Sequence, residues 1–142
     1  MNKAASTAPD GFEPLFRTSP YTELIGPLFS RGQGLSLVIG LRVQAKHCNG
    51  RGSLHAGVAS ALADITLGYG SCYSVDPPPS GLTANLSIDF MGSAAVGDWV
   101  ESSIDLAQVG RRLIFANCHL SVGDKRVARA SAVFSVVDRA AA

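Results

Sequence analysis

The chain has 142 residues, of which 46% are hydrophobic and 16% are charged. A chain of this length suits one domain, and its apolar content is enough to bury a core, which argues against a disordered protein. The formal net charge of +1 comes from 12 Lys and Arg residues against 11 Asp and Glu residues. This balance provides no field for nucleic acid or an anionic membrane, and we expect neither as a partner.

The amino terminus and the cysteines predict a cytoplasmic protein. The first ten residues contain one lysine and no apolar run, unlike a secretory signal peptide. The most apolar stretch, from Leu54 to Tyr69, contains His55 and Asp64 and is too short and too polar to span a membrane. The three cysteines have the wide, unpatterned spacing that is typical of buried reduced thiols; they are Cys48, Cys72 and Cys118.

The first element in chain order is a loose arm at residues 1–19, rich in small and polar residues. Ser19-Pro20 then provides an N-cap and a first-turn proline for a short helix that starts near Tyr21. Gly26-Pro27 should end this helix. We therefore predict a flexible N-terminal arm at 1–19 and a single folded domain at 20–142.

Two different patterns follow. From residue 35 the apolar residues alternate with others, which indicates a strand with one buried face; they are Leu35, Leu37, Ile39, Leu41 and Val43. Residues 54–72 instead form a long, small and apolar run without proline, which as a helix would span about 25 Å and cross a whole sheet. Its many small residues would let a sheet approach closely, so tertiary burial must hold the helix.

Four strand-like runs complete the chain, at residues 82–90, 99–109, 113–122 and 126–137. In the first, Leu82, Ala84, Leu86, Ile88 and Phe90 alternate with Thr83, Asn85, Ser87 and Asp89. Gly110 and Gly123-Asp124 mark tight turns between later strands. The order of elements predicts an α+β domain, in which an antiparallel sheet wraps around one long buried helix.

Asp64 lies in the middle of the predicted long helix. An unpaired charge in a dry interior costs several kcal/mol, and no Lys or Arg occurs from Gly52 to Gly110 to pair with it locally. A structural role, such as capping a loop or bonding across a subunit interface, and a catalytic role are both open on this ground alone.

The start of the same helix offers a second group of candidates. His55 directly precedes it, and Asn49 lies in the glycine-bearing loop before it. The first N–H groups, around Ala56 and Gly57, have no intrahelical partner and carry the positive end of the helix dipole, so they can stabilise an oxyanion. Taken singly, His55 is more often a cap or a core residue, and Asn49 is more often a turn residue.

Together, Asn49, His55-Ala56-Gly57 and Leu62-Ala63-Asp64, followed by GLTANLSIDFMGSAAVGD, resemble the phenylacetyl-CoA thioesterase-like branch of the hotdog superfamily. The similarity covers residues 20–137, and its most specific part is the spacing from His to Asp with the Leu-Ala-Asp triplet. The chain departs from the family pattern at Ala56, where His-Gly-Gly has its first glycine, and at 91–94, which lack a proline. The resemblance implies a hotdog fold and hydrolysis of an acyl-CoA thioester to free acid and CoA, with no cofactor.

The resemblance also implies roles for individual residues. Asp64 would act as general base or nucleophile, and the Ala56 N–H, which any helical residue supplies, would polarise the thioester carbonyl. The implied catalytic set is Asp64, His55, Asn49, Ala56, Gly57 and Thr83. The implied substrate-binding set is Asn85, Gly110, Arg111 and Arg112, of which the arginines would meet the CoA nucleotide or simply be solvated.

Other possibilities follow from the same residues. A non-catalytic hotdog module that binds acyl-CoA would use Asp64 structurally, whereas a hotdog dehydratase would need an Asp-x4-His pairing that the chain lacks. The histidines and cysteines show no spacing typical of a metal site. Apolar strand residues, including Ala128, Ala130 and Ala132, indicate a sheet edge and outer face that are partly apolar. We therefore expect subunits to associate through these surfaces into a homodimer or homotetramer. Aromatic and medium-chain acyl groups are both possible in the substrate.

Overall fold

A long helix crosses one face of a seven-stranded antiparallel sheet in the computed structural model, which describes residues 7–137. In chain order the elements are β1 (Glu13–Pro14), α1 (Pro20–Ile25), β2 (Phe29–Arg31), β3 (Val38–Arg42), α2 (Ala56–Cys72), β4 (Ser80–Phe90), β5 (Trp99–Val109), β6 (Leu113–Val122) and β7 (Lys125–Val137). The predicted α+β class, an antiparallel sheet wrapped around one long helix, is confirmed.

The strand order in the sheet is β1-β2-β3-β5-β6-β7-β4, and every pairing is antiparallel. We call the face packed against α2 the inner face and the opposite one the outer face. β4 pairs with β7 on one side, and it ends the sheet, so its other edge is open. An open edge of this length is a site at which another strand can pair.

Helix α2 packs closely on the inner face because it carries small residues there. A Cβ at Gly70 would clash with the Ile104 side chain on β5, which explains a glycine in the middle of a helix despite its low propensity. The side of α2 that faces the sheet is buried, including Ala59, Leu62, Ala63 and Leu67. The helix is not buried on all sides, however, since Asp64, Ile65 and Gly68 form a half-buried stripe.

The short helix and the strand before α2 follow their local signals in part. α1 starts at Pro20, with the Ser19 hydroxyl accepting from the Thr22 N–H at 3.2 Å, and Gly26 caps its end, as predicted. β3 is shorter than predicted, because a 3₁₀ turn occupies Gly34–Ser36 and breaks the alternation. Leu35 is therefore 49% exposed, whereas the later alternating residues are buried; these are Leu37, Ile39, Leu41 and Val43.

Part of the predicted arm lies on the sheet. Glu13 and Pro14 pair with β2, a strand that the sequence patterns did not indicate. Phe12 also packs edge-on against Trp99 at 5.0 Å between ring centroids, and Trp99 covers Gly40, where a Cβ would clash with the indole. Trp99 thus packs the sheet. Residues 1–6 lie outside the described residues, and the domain boundary at residue 19 stays a prediction.

A bulge in β4 reverses the expected faces of its first residues. The register shifts between Thr83, which pairs with Phe134, and Asn85, which pairs with Val133, so that Ala84 is the extra residue. Thr83 consequently points to the inner face, and Asn85 to the outer face, although two residues apart they should share a face in a regular strand. The predicted alternation from Leu82 to Phe90 is therefore wrong at its start.

Within residues 7–137, no helix has both the length and the apolar character that crossing a bilayer requires.

Candidate functional site

Asp64 lies on the half-buried stripe of α2, where Thr83 of β4 reaches it. The Thr83 hydroxyl donates to Asp64 Oδ1 at 2.7 Å, a hydrogen bond that orients the carboxylate. Among residues 7–137, no donor to Oδ2 is found. Among the described residues, Asp64 makes no ion pair. The β4 bulge is the cause of this contact, because it turns Thr83 toward the helix.

The carboxylate faces a pocket of about 480 Å³ between α2, the start of β4 and the segment before α1. Its walls combine apolar and polar residues: Arg17, Ser19, Tyr21, Thr22, Asp64, Ile65, Gly68, Tyr69, Cys72, Tyr73, Pro79, Ser80, Gly81, Thr83 and Phe134. Concave sites in which a few polar groups converge beside apolar side chains are typical of small-molecule binding. Asp64 and Thr83 are thus two predicted catalytic residues that the fold brings together in this pocket.

Neither buried thiol competes with Asp64 as a nucleophile. Cys72 lines the same pocket, but burial raises the pKa of its thiol. Burial also raises the pKa of Cys118 to about 12. Since the thiolate is the reactive form, a raised pKa disfavours both cysteines as nucleophiles.

His55 caps the amino terminus of α2 with its ring. Its Nδ1 accepts from the Gly57 N–H at 2.8 Å, so the neutral imidazole carries its proton on Nε2 and can donate from there. Gly57 makes room for this ring, because a Cβ at that position would lie 3.0 Å from Nδ1. The Gly57 N–H is therefore occupied by the cap, which does not agree with a role for it beside Ala56.

The backbone N–H of Ala56, at the start of α2, is available to donate a hydrogen bond to a ligand. The N–H groups of Val58 and Ala59 donate to the His55 carbonyl, at 3.0 and 3.1 Å. In the described part of the chain, no acceptor is found for the Ala56 N–H. This group can therefore donate to a ligand at the positive end of the helix dipole.

Asn49 shapes the loop that leads into α2. Its Oδ1 accepts from the backbone N–H groups of Arg51 at 2.9 Å and Ser53 at 3.2 Å, and its own N–H donates to the Ser53 carbonyl at 2.8 Å. These contacts are those of a side chain that builds a turn. The carbonyl oxygen of Asn49 is thus used within the loop.

The two halves of the predicted site lie apart in one chain. Asn49 and Ala56 line a second cavity of about 370 Å³ with Phe90 at the end of β4 and Val127 at the start of β7. Asp64 lies about 12 Å further along the α2 axis, beside the start of β4. The Asp64 pocket and the amino terminus of α2 therefore face opposite ends of β4.

The predicted substrate-binding residues lie in two separate places. Asn85 lies on the outer face, in a cavity with Leu106, Phe115 and Val133, and thus on the other side of the sheet from Asp64. Gly110, Arg111 and Arg112 form the turn between β5 and β6, and both arginines are exposed. This turn is level with the start of β4, because Leu113 pairs with Ser135, which in turn pairs with Leu82.

His47 is a positioning residue that the sequence patterns did not indicate. It is 1% exposed, its Nδ1 accepts from the Gln44 N–H at 2.9 Å, and its Nε2 therefore donates to the Ile25 carbonyl at 2.6 Å. Its carbonyl accepts from the His55 N–H at 2.8 Å. The ring thus ties the end of α1 to the segment that places His55 at the start of α2.

Acid is expected to weaken the fold through His47. Burial lowers the pKa of His47 below its ordinary value of 6.5 and outweighs its hydrogen bond to Ile25. As the pH falls below 6.5, the unfolded chain binds a proton that the folded chain does not, so stability is lost by up to about 1.4 kcal/mol per pH unit. Thermal unfolding between pH 7.5 and 5 should show a smaller loss for His47→Gln than for the unchanged protein. An equal loss in the two proteins would contradict the assignment.

Within residues 7–137, no group of three or more His, Cys, Asp or Glu side chains is arranged to hold a metal ion. Polar side chains on the wall of the Asp64 pocket include the Asp64 carboxylate and the Thr83 hydroxyl.

Known proteins are similar to this chain in both sequence and fold. A family model described as thioesterase superfamily matches residues 51–129, more than half of the chain. A Pseudomonas aeruginosa protein named as a candidate esterase is 46% identical over 127 residues, which cover 89% of this chain and 95% of the relative.

Two solved structures illustrate the fold. The E. coli PaaI protein from the phenylacetic acid degradation operon aligns with a TM-score of 0.73 at 18% identity, over 84% of this chain and 86% of that one. A Streptococcus mutans protein bound to acetyl-CoA aligns with a TM-score of 0.66 at 20% identity, over 76% of this chain and 86% of that one. At these identities the likeness concerns the fold. The chain belongs to the thioesterase superfamily and has its hotdog fold.

Proposed function

We propose that this protein hydrolyses acyl-CoA thioesters to the free acid and CoA, with Asp64 as general base or nucleophile. The observation that carries the proposal is the Asp64 carboxylate on the wall of the pocket, held by Thr83 at 2.7 Å and without an ion pair among the described residues. The superfamily and a structural neighbour that binds acetyl-CoA support CoA esters as the substrate class.

The two halves of the site supply the two requirements of thioester hydrolysis. As a general base, Asp64 takes a proton from water while the water oxygen attacks the thioester carbonyl carbon. The Ala56 N–H donates to the oxyanion of the tetrahedral intermediate, and Nε2–H of His55 is a second donor at the same helix end. When the carbon–sulfur bond breaks, the CoA thiolate recovers a proton and the acid leaves.

As a nucleophile, Asp64 would instead attack the carbonyl carbon itself and expel the CoA thiolate. The mixed anhydride formed in this way is then hydrolysed by water. Hydrolysis in oxygen-18 water under single-turnover conditions tests the anhydride route. Label that enters the Asp64 carboxylate shows an anhydride opened by water at the Asp64 carbonyl carbon. Label in the product acid alone fits both direct attack of water on the thioester and attack of water on the acyl carbonyl of the anhydride, and a rapid-quench search for an acylated Asp64 peptide separates these two.

A partner subunit would complete the site. Asp64 lies beside the start of β4 and Ala56 beside its end, about 12 Å apart along α2. Antiparallel pairing of the open β4 edge with the same edge of a second copy sets the start of one β4 against the end of the other. Each Asp64 would then face Ala56 of the partner subunit. We therefore propose a homodimer with two shared sites.

The predicted position of the exposed apolar surface on the sheet is wrong. Ala128, Ala130 and Ala132 are 1 to 4% exposed and line the inner face. Exposed apolar residues lie instead on the outer face, including Leu106 at 67% and Phe115 at 50%. A homotetramer, if formed, would use this outer face, since large exposed apolar patches mark interaction sites.

A shared site predicts complementation between two inactive variants. In a heterodimer of Asp64→Asn and Ala56→Pro, one site carries both changes and the other carries neither. An equal mixture prepared by joint refolding should regain about a quarter of the normal activity, because half of the dimers are mixed and each has one intact site. Each variant refolded alone is the control. Recovery no greater than the average of the two controls would show that each site lies within one chain.

The exposed arginines are expected to bind the CoA nucleotide. Among the described residues, Arg111 and Arg112 pair with no carboxylate, and an arginine fork can hold a phosphate bidentately. Replacing both by alanine should raise KM for acyl-CoA about tenfold and leave kcat within a few-fold, since the nucleotide is remote from the reacting carbonyl.

The salt dependence of KM provides a second measurement on the arginine pair. Added NaCl should raise KM of the unchanged protein more than that of the double variant, because salt screens exposed charges over about 10 Å at 0.1 M. An acyl thioester without the nucleotide should not distinguish the two proteins. Loss of kcat on both substrates would assign Arg111 and Arg112 to the fold or to the interface.

Thiol release from a panel of short, medium and aromatic acyl-CoAs tests the proposed function directly. Turnover of at least one ester that depends on Asp64 supports hydrolysis. Tight binding of acyl-CoA without turnover would instead support a non-catalytic binding module, in which Asp64 and Thr83 have a structural role.

A further inference from the structure

We infer that the Asp64 pocket prefers acyl groups that carry a carboxylate at their far end, and that Arg17 is the residue that binds this carboxylate. The inference rests on the proposed function and adds a specificity-determining residue to it. Arg17 lies in the segment before α1 and lines the same pocket as Asp64 and Thr83.

Aromatic rings hold the Arg17 side chain in place. Its guanidinium carbon lies 5.8 Å from the centroid of the Tyr69 ring, and Nη1 donates to the Tyr73 hydroxyl at 3.4 Å. Phe16, the neighbouring residue, packs against Tyr69 at 5.5 Å and Tyr73 at 5.6 Å between ring centroids. Stacking of this kind orients the planar guanidinium without neutralising it.

The charge of Arg17 is uncompensated in the described part of the chain. Two other exposed arginines have acidic partners: Arg31 lies 3.7 Å from Glu101, and Arg129 lies 3.1 Å from Asp89. Arg17 has no carboxylate within this range. Most of its donors are therefore available to an anionic group in the pocket, which they can hold bidentately.

The wall between Asp64 and Arg17 suits a methylene chain. It includes Ile65, Phe134 and two glycines, Gly68 and Gly81. A Cβ at Gly81 would lie 3.3 Å from Phe134 Cβ, so this glycine makes room beside Phe134, whereas a Cβ at Gly68 would be in ordinary van der Waals contact with the ring, 3.5 Å from Cε1. Along α2, the residues that hold Arg17 are about 8 to 13 Å beyond Asp64. A thioester at Asp64 would thus place the far end of a short or medium chain near the guanidinium.

Matched pairs of CoA esters test the inference. Each pair has the same chain length and differs in the terminal carboxylate: succinyl and butyryl, adipoyl and hexanoyl, suberoyl and octanoyl. The unchanged full-length protein should show a higher kcat/KM for the carboxylated member of at least one pair. Arg17→Gln should reduce that preference about 10 to 100-fold, the range of a hydrogen bond to a charged group. Its kcat/KM for the uncharged member should stay within about threefold.

Arg31→Gln is the matched control. Arg31 is also an exposed arginine over an aromatic ring, 5.0 Å from the centroid of Phe12, but it lines a different pocket. This change should leave the preference between paired esters as it is in the unchanged protein. An equal loss of preference in Arg31→Gln and Arg17→Gln would overturn the inference, because it would point to general surface charge.

A phosphate of CoA is the other anion that Arg17 could meet. In that case, Arg17→Gln would weaken both members of each pair equally, and the loss would vanish with the corresponding pantetheine thioesters. That outcome overturns the inference and leaves the proposed function standing, as does hydrolysis confined to uncharged or aromatic acyl-CoAs. Failure to hydrolyse any acyl-CoA would overturn the proposed function together with the inference.

Discussion

Replacing Asp64 by Asn is expected to lower kcat for acyl-CoA hydrolysis by at least about 10²-fold, as loss of a general base normally does. The substitution preserves shape, and its side-chain carbonyl can still accept the hydrogen bond from Thr83. It removes the ability to take a proton or to form an anhydride. Steady-state kinetics with the best ester of the panel, together with thermal unfolding, would measure both properties.

Two further substitutions make the Asp64 result specific. Asp105→Asn removes another carboxylate that accepts one hydrogen bond, from His119 at 2.7 Å, and should leave kcat unchanged. Thr83→Val removes the donor to Asp64 and should have a smaller effect of about tenfold, because the carboxylate remains but is less well oriented. Near-normal turnover by a folded Asp64→Asn protein would remove Asp64 from the mechanism.

Replacing Ala56 by Pro is expected to lower kcat by about 10² to 10³-fold, the usual cost of removing one oxyanion donor. Proline has no N–H, and it is well tolerated at the first position of a helix. The preceding residue, His55, has φ −65° and ψ 136°, the extended conformation that a following proline favours. The change therefore deletes the proposed donor with little strain on α2, which thermal unfolding would verify.

Ala56→Gly is the matched control, because it keeps the N–H and restores the glycine of the family pattern. Its kcat should stay close to that of the unchanged protein. If Ala56→Pro is folded and as active as Ala56→Gly, another group must stabilise the oxyanion, and Nε2–H of His55 becomes the first alternative.

The sequence by itself determined the elements whose signals are local. Ser19-Pro20 starts α1, because an N-cap and a first-turn proline act within a single turn. β5 and β6 have the predicted bounds, and α2 begins two residues after the start of its apolar run. Side-chain periodicity and turn residues encode these features within a few neighbouring positions. The predicted resemblance to the superfamily is confirmed, and the Leu-Ala-Asp triplet makes Asp64 the candidate catalytic residue.

The tertiary structure alone decided how the candidate residues are arranged. The bulge at Ala84, which turns Thr83 to Asp64 and Asn85 away from it, depends on the pairing of β4 with β7. Likewise, Arg17 acquires its place from Tyr69 and Tyr73, which are distant from it in the chain. Strand register, ring packing and loop closure join residues that are distant in the chain. No local pattern encodes these contacts, because their free energy arises only when the whole sheet has closed around the helix.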